Sequence, residues 1–143
     1  MLYDYFVLNK FWNYFMQKVT AGVIEKDGKI LIAKRKSGKC IGANWEFPGG
    51  KLEEDETLEE CLKRELKEEL DIEVEVKNYI ASSFFSCNDL EIELIAYRVK
   101  YLSGELKLVD HEEVKWISPD ELSKYEFTLP DIPIVEKVLN LFI

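Results

Sequence analysis

The fold of this chain is decided by GKLEEDETLEECLKRELKEELDI, residues 50–72, which carries ten acidic side chains in 23 positions. Thr57 followed three residues later by Glu60 is a capping box, which marks the start of a helix. The apolar spacing continues to Leu70, so a helix is predicted over residues 57–70. A helix of a soluble protein buries one apolar face. The number of carboxylates that accompany this face therefore needs an explanation.

Some of these carboxylates fall on the side of the helix that should be buried. At about 100° per residue, Glu65 and Glu69 lie close to Leu62, and Glu68 lies at the margin of that side. Carboxylates pressed toward a core are costly unless a cation meets them. Closely spaced carboxylates suit Mg²⁺ or Mn²⁺, which prefer oxygen ligands. The competing interpretation is a solvated helix rich in ion pairs. Gly49-Gly50 favours the metal, because it lets backbone groups approach a ligand.

Composition limits the possible partners. The net charge of −9 argues against a protein that binds a nucleic acid polymer, which would need a basic surface. A small polyphosphate remains compatible if divalent cations bridge the two negative partners. No apolar run approaches the roughly 20 residues that span a bilayer, so no membrane association is expected. The three cysteines form no CxxC pair, and the chain has a single histidine. A zinc site or disulfide framework is therefore not expected, and the cytoplasm is the simplest compartment.

The remaining pattern predicts a mixed sheet packed between helices, in one domain. Lys26-Asp27-Gly28 is a hairpin signal, and Pro48-Gly49-Gly50 is expected to break a short strand at 45–46. A last amphipathic helix is predicted over 131–142. The strand candidates are 19–24, 29–34, 45–46, 74–76, 80–85, 91–101, 106–109 and 114–116. Residues 1–15 are expected to be an extension that precedes a domain at 16–143.

The acidic segment resembles the Nudix box. The matching positions are Gly50, Glu56, Arg64-Glu65, Leu66, Glu68-Glu69 and Ile72. Asp71 stands where glycine is usual, at a helix end that should need left-handed backbone, which aspartate tolerates. The sequences WEFPGGK before the box, and GELKLVDHEEVKWISPDEL and LPDIPIVEKV after it, are similar to MutT-type members of the same superfamily. The likeness covers nearly the whole chain from Val19 onward.

This resemblance implies an α+β protein with the Nudix fold, an α/β/α sandwich around a mixed sheet. It implies an Mg²⁺-dependent (or Mn²⁺-dependent) hydrolase that splits a nucleoside triphosphate into monophosphate and pyrophosphate. Likeness to MutT-type enzymes places 8-oxo-dGTP first, with CTP or dCTP as the alternative. A nucleotide-sensing domain without catalysis is a further alternative, which the intact box opposes. The expected partner is the nucleotide, and the protein is expected to be a monomer or homodimer.

The resemblance also assigns roles to individual residues. The metal ligands it implies are Glu65, Glu68, Glu69 and the Gly49 carbonyl. Glu56 is a further candidate, either as a ligand or as the partner of Arg64, which is expected to orient carboxylates. Asp110 matches a position where some members carry an acidic base or an extra metal ligand. Glu112 and Glu113 compete with Asp110, and His111 ranks lower because a lone histidine in an acidic loop is usually exposed.

Four positions are candidates for substrate binding. Arg35 resembles an arginine that contacts phosphate in MutT-type enzymes. Trp45 and Phe47 could stack on a base, although one of them should be in the core because they alternate around Glu46. Asp131 matches a base-reading position, and its alternative role is the N-cap of the last helix.

Overall fold

The computed structural model describes residues 16–36 and 42–142. Within these described residues, two helices and two 3₁₀ turns accompany seven strands. The strands are β1 (Met16–Lys26), β2 (Lys29–Arg35), β3 (Trp45–Glu46), β4 (Gly49–Lys51), β5 (Glu73–Cys87), β6 (Leu90–Ser103) and β7 (His111–Ile117). The helices are α1 (Leu58–Leu70) and α2 (Ile132–Phe142), and the 3₁₀ turns are Pro119–Lys124 and Leu129–Asp131. Residues 1–15 lie outside the described residues, so the extension expected there stays a prediction.

The strands form one mixed sheet in the order β3-β2-β1-β6-β5, with β4 on β1 and β7 on β2. β1 runs parallel to β6, and the other pairs are antiparallel. The turn between β1 and β2 has positive φ at Asp27 (50°) and Gly28 (76°), as the Asp-Gly signal predicts. The two short strands that flank Pro48 lie beside β1 and β2, which places the glycines next to α1.

Apolar side chains are buried on both faces of the sheet. On one face, Ile134 and Val138 of α2 pack on Ala21, Val23 and other residues of β1 and β2. On the opposite face, α1 packs through its buried leucines. The predicted sandwich of helix, sheet and helix is therefore confirmed.

Both ends of α1 follow the chemistry of its sequence. The Thr57 hydroxyl accepts a hydrogen bond from the Glu60 amide (3.1 Å) and donates one to the Glu60 carboxylate (3.2 Å). At the other end, Asp71 has φ 57° and ψ 39°, and its amide donates to the Lys67 carbonyl (3.1 Å). The left-handed position predicted at Asp71 is confirmed.

Several boundaries differ from those predicted. Gly49–Lys51 is itself a strand, because its backbone pairs with β1. The candidates 74–76 and 80–85 belong to one strand, β5, whose register shifts around Tyr79. Residues 106–109 form no strand. Cys87 is disulfide-bonded, unlike the expectation from cysteine spacing, whereas Cys61 is free and buried. Among the described helices, none is long and apolar enough to cross a membrane.

Candidate active site

A cleft of about 830 Å³ opens where α1, β4 and the ends of β2, β3 and β7 meet. Glu65 and Glu69 line it from α1, and Gly49 and Gly50 line it from β4. Other predicted site residues that line it are Arg35 and Asp110. The cleft therefore brings together acidic, basic and backbone groups that are far apart in the sequence.

Glu65 lies directly against the strand β4. A Cβ atom added to Gly50 would come within 2.2 Å of the Glu65 carboxyl carbon. Glycine is required at this position because the carboxylate fills the space that a side chain would occupy. The Glu65 side chain is only 14% exposed, and burial raises its pKa despite the neighbouring Arg64 guanidinium.

Glu69 is a half-buried carboxylate among like charges. Burial raises its pKa to about 7, and the charges of Glu65, Glu46 and Asp110 add to this effect while His111 opposes it. The buried face of α1 is centred on Leu62, Leu66 and Leu70. Glu65 and Glu69 lie beside that buried face, are partly buried and line the cleft.

Arg64 is the cation that balances the acidic segment in this structure. Its guanidinium contacts both oxygens of Glu56 (2.8 and 3.0 Å) and one oxygen each of Glu65 and Glu68 (3.1 Å each). It also donates to the Lys51 carbonyl (3.1 Å), which fastens α1 to β4. The hydrogen bonds from Arg64 lower the pKa of Glu56 to about 2. Of the two roles open for Glu56, its contacts match the partner of Arg64. Glu68 has a side chain that is 60% exposed.

The Gly49 carbonyl is oriented toward α1. Gly22 donates to the Pro48 carbonyl (2.7 Å), and Leu52 donates to the Lys18 carbonyl (3.0 Å). Along a strand the carbonyls of successive residues point to opposite edges, and those of every second residue point to the same edge. The Gly49 carbonyl therefore points away from β1, in the same direction as the Lys51 carbonyl that accepts from Arg64.

The donor chemistry fits a hard divalent cation. No three acidic, histidine or cysteine side chains within residues 16–36 and 42–142 converge closely enough to form a ready metal site. However, Glu65 and Glu69 are half-buried carboxylates, and Arg64 contacts only the first of them. Two such carboxylates and a backbone carbonyl are the oxygen donors that Mg²⁺ and Mn²⁺ bind. A cation at this position would relieve the repulsion that raises the pKa of Glu69.

His111 is buried, contrary to the expectation that it would be exposed in an acidic loop. It is the first residue of β7, and its side chain is only 4% exposed. Its Nε2 lies 3.0 Å from Oε1 of Glu46, and the other Glu46 oxygen lies 3.7 Å from Arg35. Sequence reasoning missed Glu46. The alternation around Trp45-Glu46-Phe47 contained the signal, since a glutamate between two rings faces the opposite side.

The candidates for the catalytic base separate by position. Asp110 is exposed and lines the cleft near Glu69. Glu112 is exposed and Glu113 pairs with Lys115 (3.6 Å), and neither lines the cleft. The geometry thus favours Asp110 among the acidic candidates.

The two aromatic candidates pack against other aromatic side chains of the protein. Phe47 is 3% exposed and packs on Phe127 at 5.3 Å between ring centroids. Trp45 packs edge-on against Tyr125 at 5.1 Å. Neither ring lines the cleft, whose apolar wall is formed by Val19, Leu90 and Ile92. This wall was not predicted, because it depends on the parallel pairing of β1 with β6.

Asp131 is buried and is not among the residues that line the cleft. One carboxylate oxygen accepts from the Phe47 amide (3.0 Å), and the other accepts from the Thr128 hydroxyl. These bonds join the β3–β4 connection to the start of α2, and none of them caps the first turn of that helix. Burial and the Glu46 charge raise the pKa of Asp131 to about 7.

A sheet enclosed by two helices, with an acidic helix held against a diglycine strand, defines the class of this protein. The model of the NUDIX domain family matches residues 16–138, and the chain belongs to this family of pyrophosphohydrolases. It is 40% identical over 126 residues to the CTP pyrophosphohydrolase of Escherichia coli K12, covering 88% of this chain and 93% of the relative.

Two further similarities agree with this class. An 8-oxo-dGTP diphosphatase of Buchnera aphidicola is 32% identical and aligns over 82% of this chain and 88% of its own. The solution structure of the E. coli ORF135 protein superposes with a TM-score of 0.79 at 40% identity, over 88% of this chain and 90% of that one.

Proposed function

We propose that this protein hydrolyses (deoxy)nucleoside triphosphates to monophosphate and pyrophosphate with Mg²⁺ or Mn²⁺. The observation that carries the proposal is the pair of partly buried carboxylates, Glu65 and Glu69, which line the same cleft as Arg35. The acidic floor suits cations that are themselves bound to phosphate, and the guanidinium suits phosphate oxygens directly. The cytoplasm, which holds the nucleotide pool, is the proposed compartment.

Glu65, Glu69 and the Gly49 carbonyl would hold the metal, with Glu68 joining them if Arg64 releases it. When bound, the metal neutralises phosphate charge and lowers the pKa of the attacking water. Arg64 keeps the carboxylates in place through its contacts with Glu56 and β4. Asp110, at the open side of the cleft, is the proposed proton acceptor.

For the base, we place CTP and dCTP first and 8-oxo-dGTP second. The relative that carries the CTP activity shares 40% of its residues with this chain, against 32% for the 8-oxo-dGTP diphosphatase. Asp131 is the candidate contact, since each of its oxygens retains a lone pair beyond the bonds to Phe47 and Thr128. Cytosine offers an amino group to such an acceptor, and thymine offers a carbonyl oxygen in its place.

A substrate panel tests this proposal. Initial rates of pyrophosphate release would be measured with CTP, dCTP, 8-oxo-dGTP and dTTP at saturating Mg²⁺. We expect the highest kcat/KM for the cytidine nucleotides and the lowest for dTTP. A preference for 8-oxo-dGTP would overturn the ranking but preserve the reaction, whereas no release from any nucleotide would overturn the reaction.

The role of Asp131 is tested by repeating the panel with Asp131→Ala. If Asp131 reads the base, the discrimination against dTTP is lost while hydrolysis continues, because the metal site is separate. If the variant keeps the wild-type order of kcat/KM and loses only thermal stability, Asp131 is a structural link between Phe47 and α2. Thr128→Val is the matched control, since it removes one bond to Asp131 and leaves its carboxylate in place.

A further inference from the structure

Three polar side chains from three strands meet at one wall of the cleft. Arg35 ends β2, Glu46 ends β3 and His111 begins β7. In the ladder between β2 and β7, Arg35 lies opposite His111, immediately after a register shift at Lys34. Such an irregularity changes the direction of the side chain beyond it. The cation, carboxylate and imidazole are thus assembled by the sheet itself.

Glu46 connects the other two side chains. Its Oε1 lies 3.0 Å from Nε2 of His111, and its Oε2 lies 3.7 Å from Nη1 of Arg35. A carboxylate only accepts hydrogen bonds, so Nε2 of the ring carries the proton and donates it. The His111 side chain is 4% exposed and that of Arg35 is 37% exposed. The buried His111 ring therefore holds Glu46 from the interior. Glu46 in turn contacts Arg35, which lines the cleft.

The surroundings of His111 point to this single contact as its role. Its other ring nitrogen, Nδ1, is buried and has no hydrogen-bond partner among the described residues. An unpaired buried nitrogen is unfavourable for stability. An apolar ring such as phenylalanine would avoid that cost but could not donate to Glu46.

We propose that His111 is a positioning residue for substrate binding: its Nε2 fixes the Glu46 carboxylate, which in turn orients the Arg35 guanidinium toward the phosphate chain. The inference rests on the proposed function, in which this cleft binds a nucleoside triphosphate. Arginine has a long, flexible side chain, and orienting it before binding removes an entropic cost that the substrate would otherwise meet. Loss of the contact between His111 and Glu46 should therefore weaken substrate binding and leave the chemical step unchanged.

The first test is independent of activity. Because the chain contains one histidine, the ring signals of ¹⁵N-labelled protein belong to His111 alone. In the metal-free protein, above the pH at which the ring loses its charge, we expect a proton on Nε2 and none on Nδ1. The preference for this tautomer should weaken in Glu46→Ala. A wild-type ring protonated on Nδ1 instead would overturn the proposal.

The second test compares His111→Phe with His111→Gln. The phenylalanine variant should raise KM about 10-fold, the scale of a hydrogen bond to a charged group, and change kcat less than about threefold. The glutamine variant should recover most of the wild-type KM, because its amide can donate to Glu46. Val114→Ala is the control, since Val114 lies on the same strand, packs into the core beneath α1, does not line the cleft and should leave KM unchanged. Urea unfolding of each variant establishes that it is folded.

A double-mutant cycle with Arg35→Ala completes the test. If His111 acts through Arg35, His111→Phe adds no further rise in KM to the Arg35→Ala variant. Additive effects would overturn the proposal, as would a fall in kcat with unchanged KM. If the wild type hydrolyses no triphosphate, the proposed function fails. The tautomer measurement still decides whether Nε2 of His111 donates a hydrogen bond to Glu46.

Discussion

At the scale of single residues, the carboxylates of the candidate site are not all paired with a cation. Glu69 has no hydrogen bond to Arg64, whereas Glu65 does. Its pKa is raised first by burial and then by Glu65, Glu46 and Asp110. Ionised Glu69 is therefore unfavourable for folding in the absence of metal and favourable for metal binding, which is the expected compromise of a functional site.

Glu69→Gln separates these two effects. The substitution keeps the shape and removes the charge, so kcat should fall by at least about 100-fold, as for the loss of a positioned catalytic group. The melting temperature in EDTA should rise, because repulsion among the carboxylates is relieved. Pyrophosphate release and thermal unfolding are the two measurements. Near wild-type turnover at saturating Mg²⁺ would refute the assignment of Glu69 as a ligand.

Asp131 should make stability depend on pH. Its pKa is raised from 3.8 to about 7 by burial and by Glu46, so the folded protein retains this proton where the unfolded chain has released it. Its contribution to stability is full below about pH 4 and is lost as pH rises to about 7. Asp131→Asn lacks this titration. Between pH 5 and 8 in EDTA, we expect its melting temperature to fall less than that of the wild type, and equal slopes would contradict the assignment.

At the scale of elements, the shape of the cleft depends on how closely β4 approaches α1. The two glycines serve different contacts. A Cβ atom on Gly50 would meet the Glu65 carboxylate, which is the movable end of a side chain, whereas one on Gly49 would lie 1.9 Å from the Thr20 carbonyl oxygen of β1. The first clash displaces the Glu65 side chain, and the second displaces the backbone of β1.

Gly50→Ala should therefore impair activity more than folding. Glu65 can rotate away at a modest cost in stability, but it then leaves its position against Gly50 in the cleft. We expect weaker Mg²⁺ activation, seen as a shift to higher Mg²⁺ in the activity titration, with unfolding that remains cooperative. Gly49→Ala is the comparison and should fail to fold stably. An unchanged Mg²⁺ dependence in Gly50→Ala would show that Glu65 is not held for the metal.

The elements that local chemistry determines were predictable, and those that depend on pairing were not. The capping box at Thr57 and the left-handed position at Asp71 need only neighbouring residues, so the limits of α1 were correct. The strand at Gly49–Lys51 contains two glycines and forms because β1 provides a partner. Its glycines suggested a break in the strand because glycine has a low strand propensity. The hydrogen bonds to β1 outweigh that propensity here.

At the scale of the whole molecule, the family match and β1 both begin at Met16. We predict that a protein starting at Met16 folds and retains its kcat/KM, because every residue assigned to the cleft follows that position. Thermal unfolding and pyrophosphate release of the shortened chain are the measurements. Loss of cooperative unfolding would show that residues 1–15 belong to the core.

The site was predictable where a motif fixes it and not where strands assemble it. The spacing within one helix put Glu65 and Glu69 on one side of it, and the resemblance to the Nudix box gave Arg64 the orienting role that its contact with Glu65 matches. Glu46 and His111 lie 65 positions apart, and only the pairing of β2 with both β3 and β7 brings them together. Sequence reasoning consequently favoured aromatic rings that the structure places outside the cleft.

The products of turnover distinguish a metal-dependent pyrophosphohydrolase from a nucleotide sensor. Purified protein would be incubated with CTP or 8-oxo-dGTP and Mg²⁺, and the phosphorus products would be followed by ³¹P NMR. We predict nucleoside monophosphate and pyrophosphate, with no turnover in EDTA. Nucleoside diphosphate with inorganic phosphate, turnover that persists in EDTA, or binding without turnover would contradict the proposed reaction.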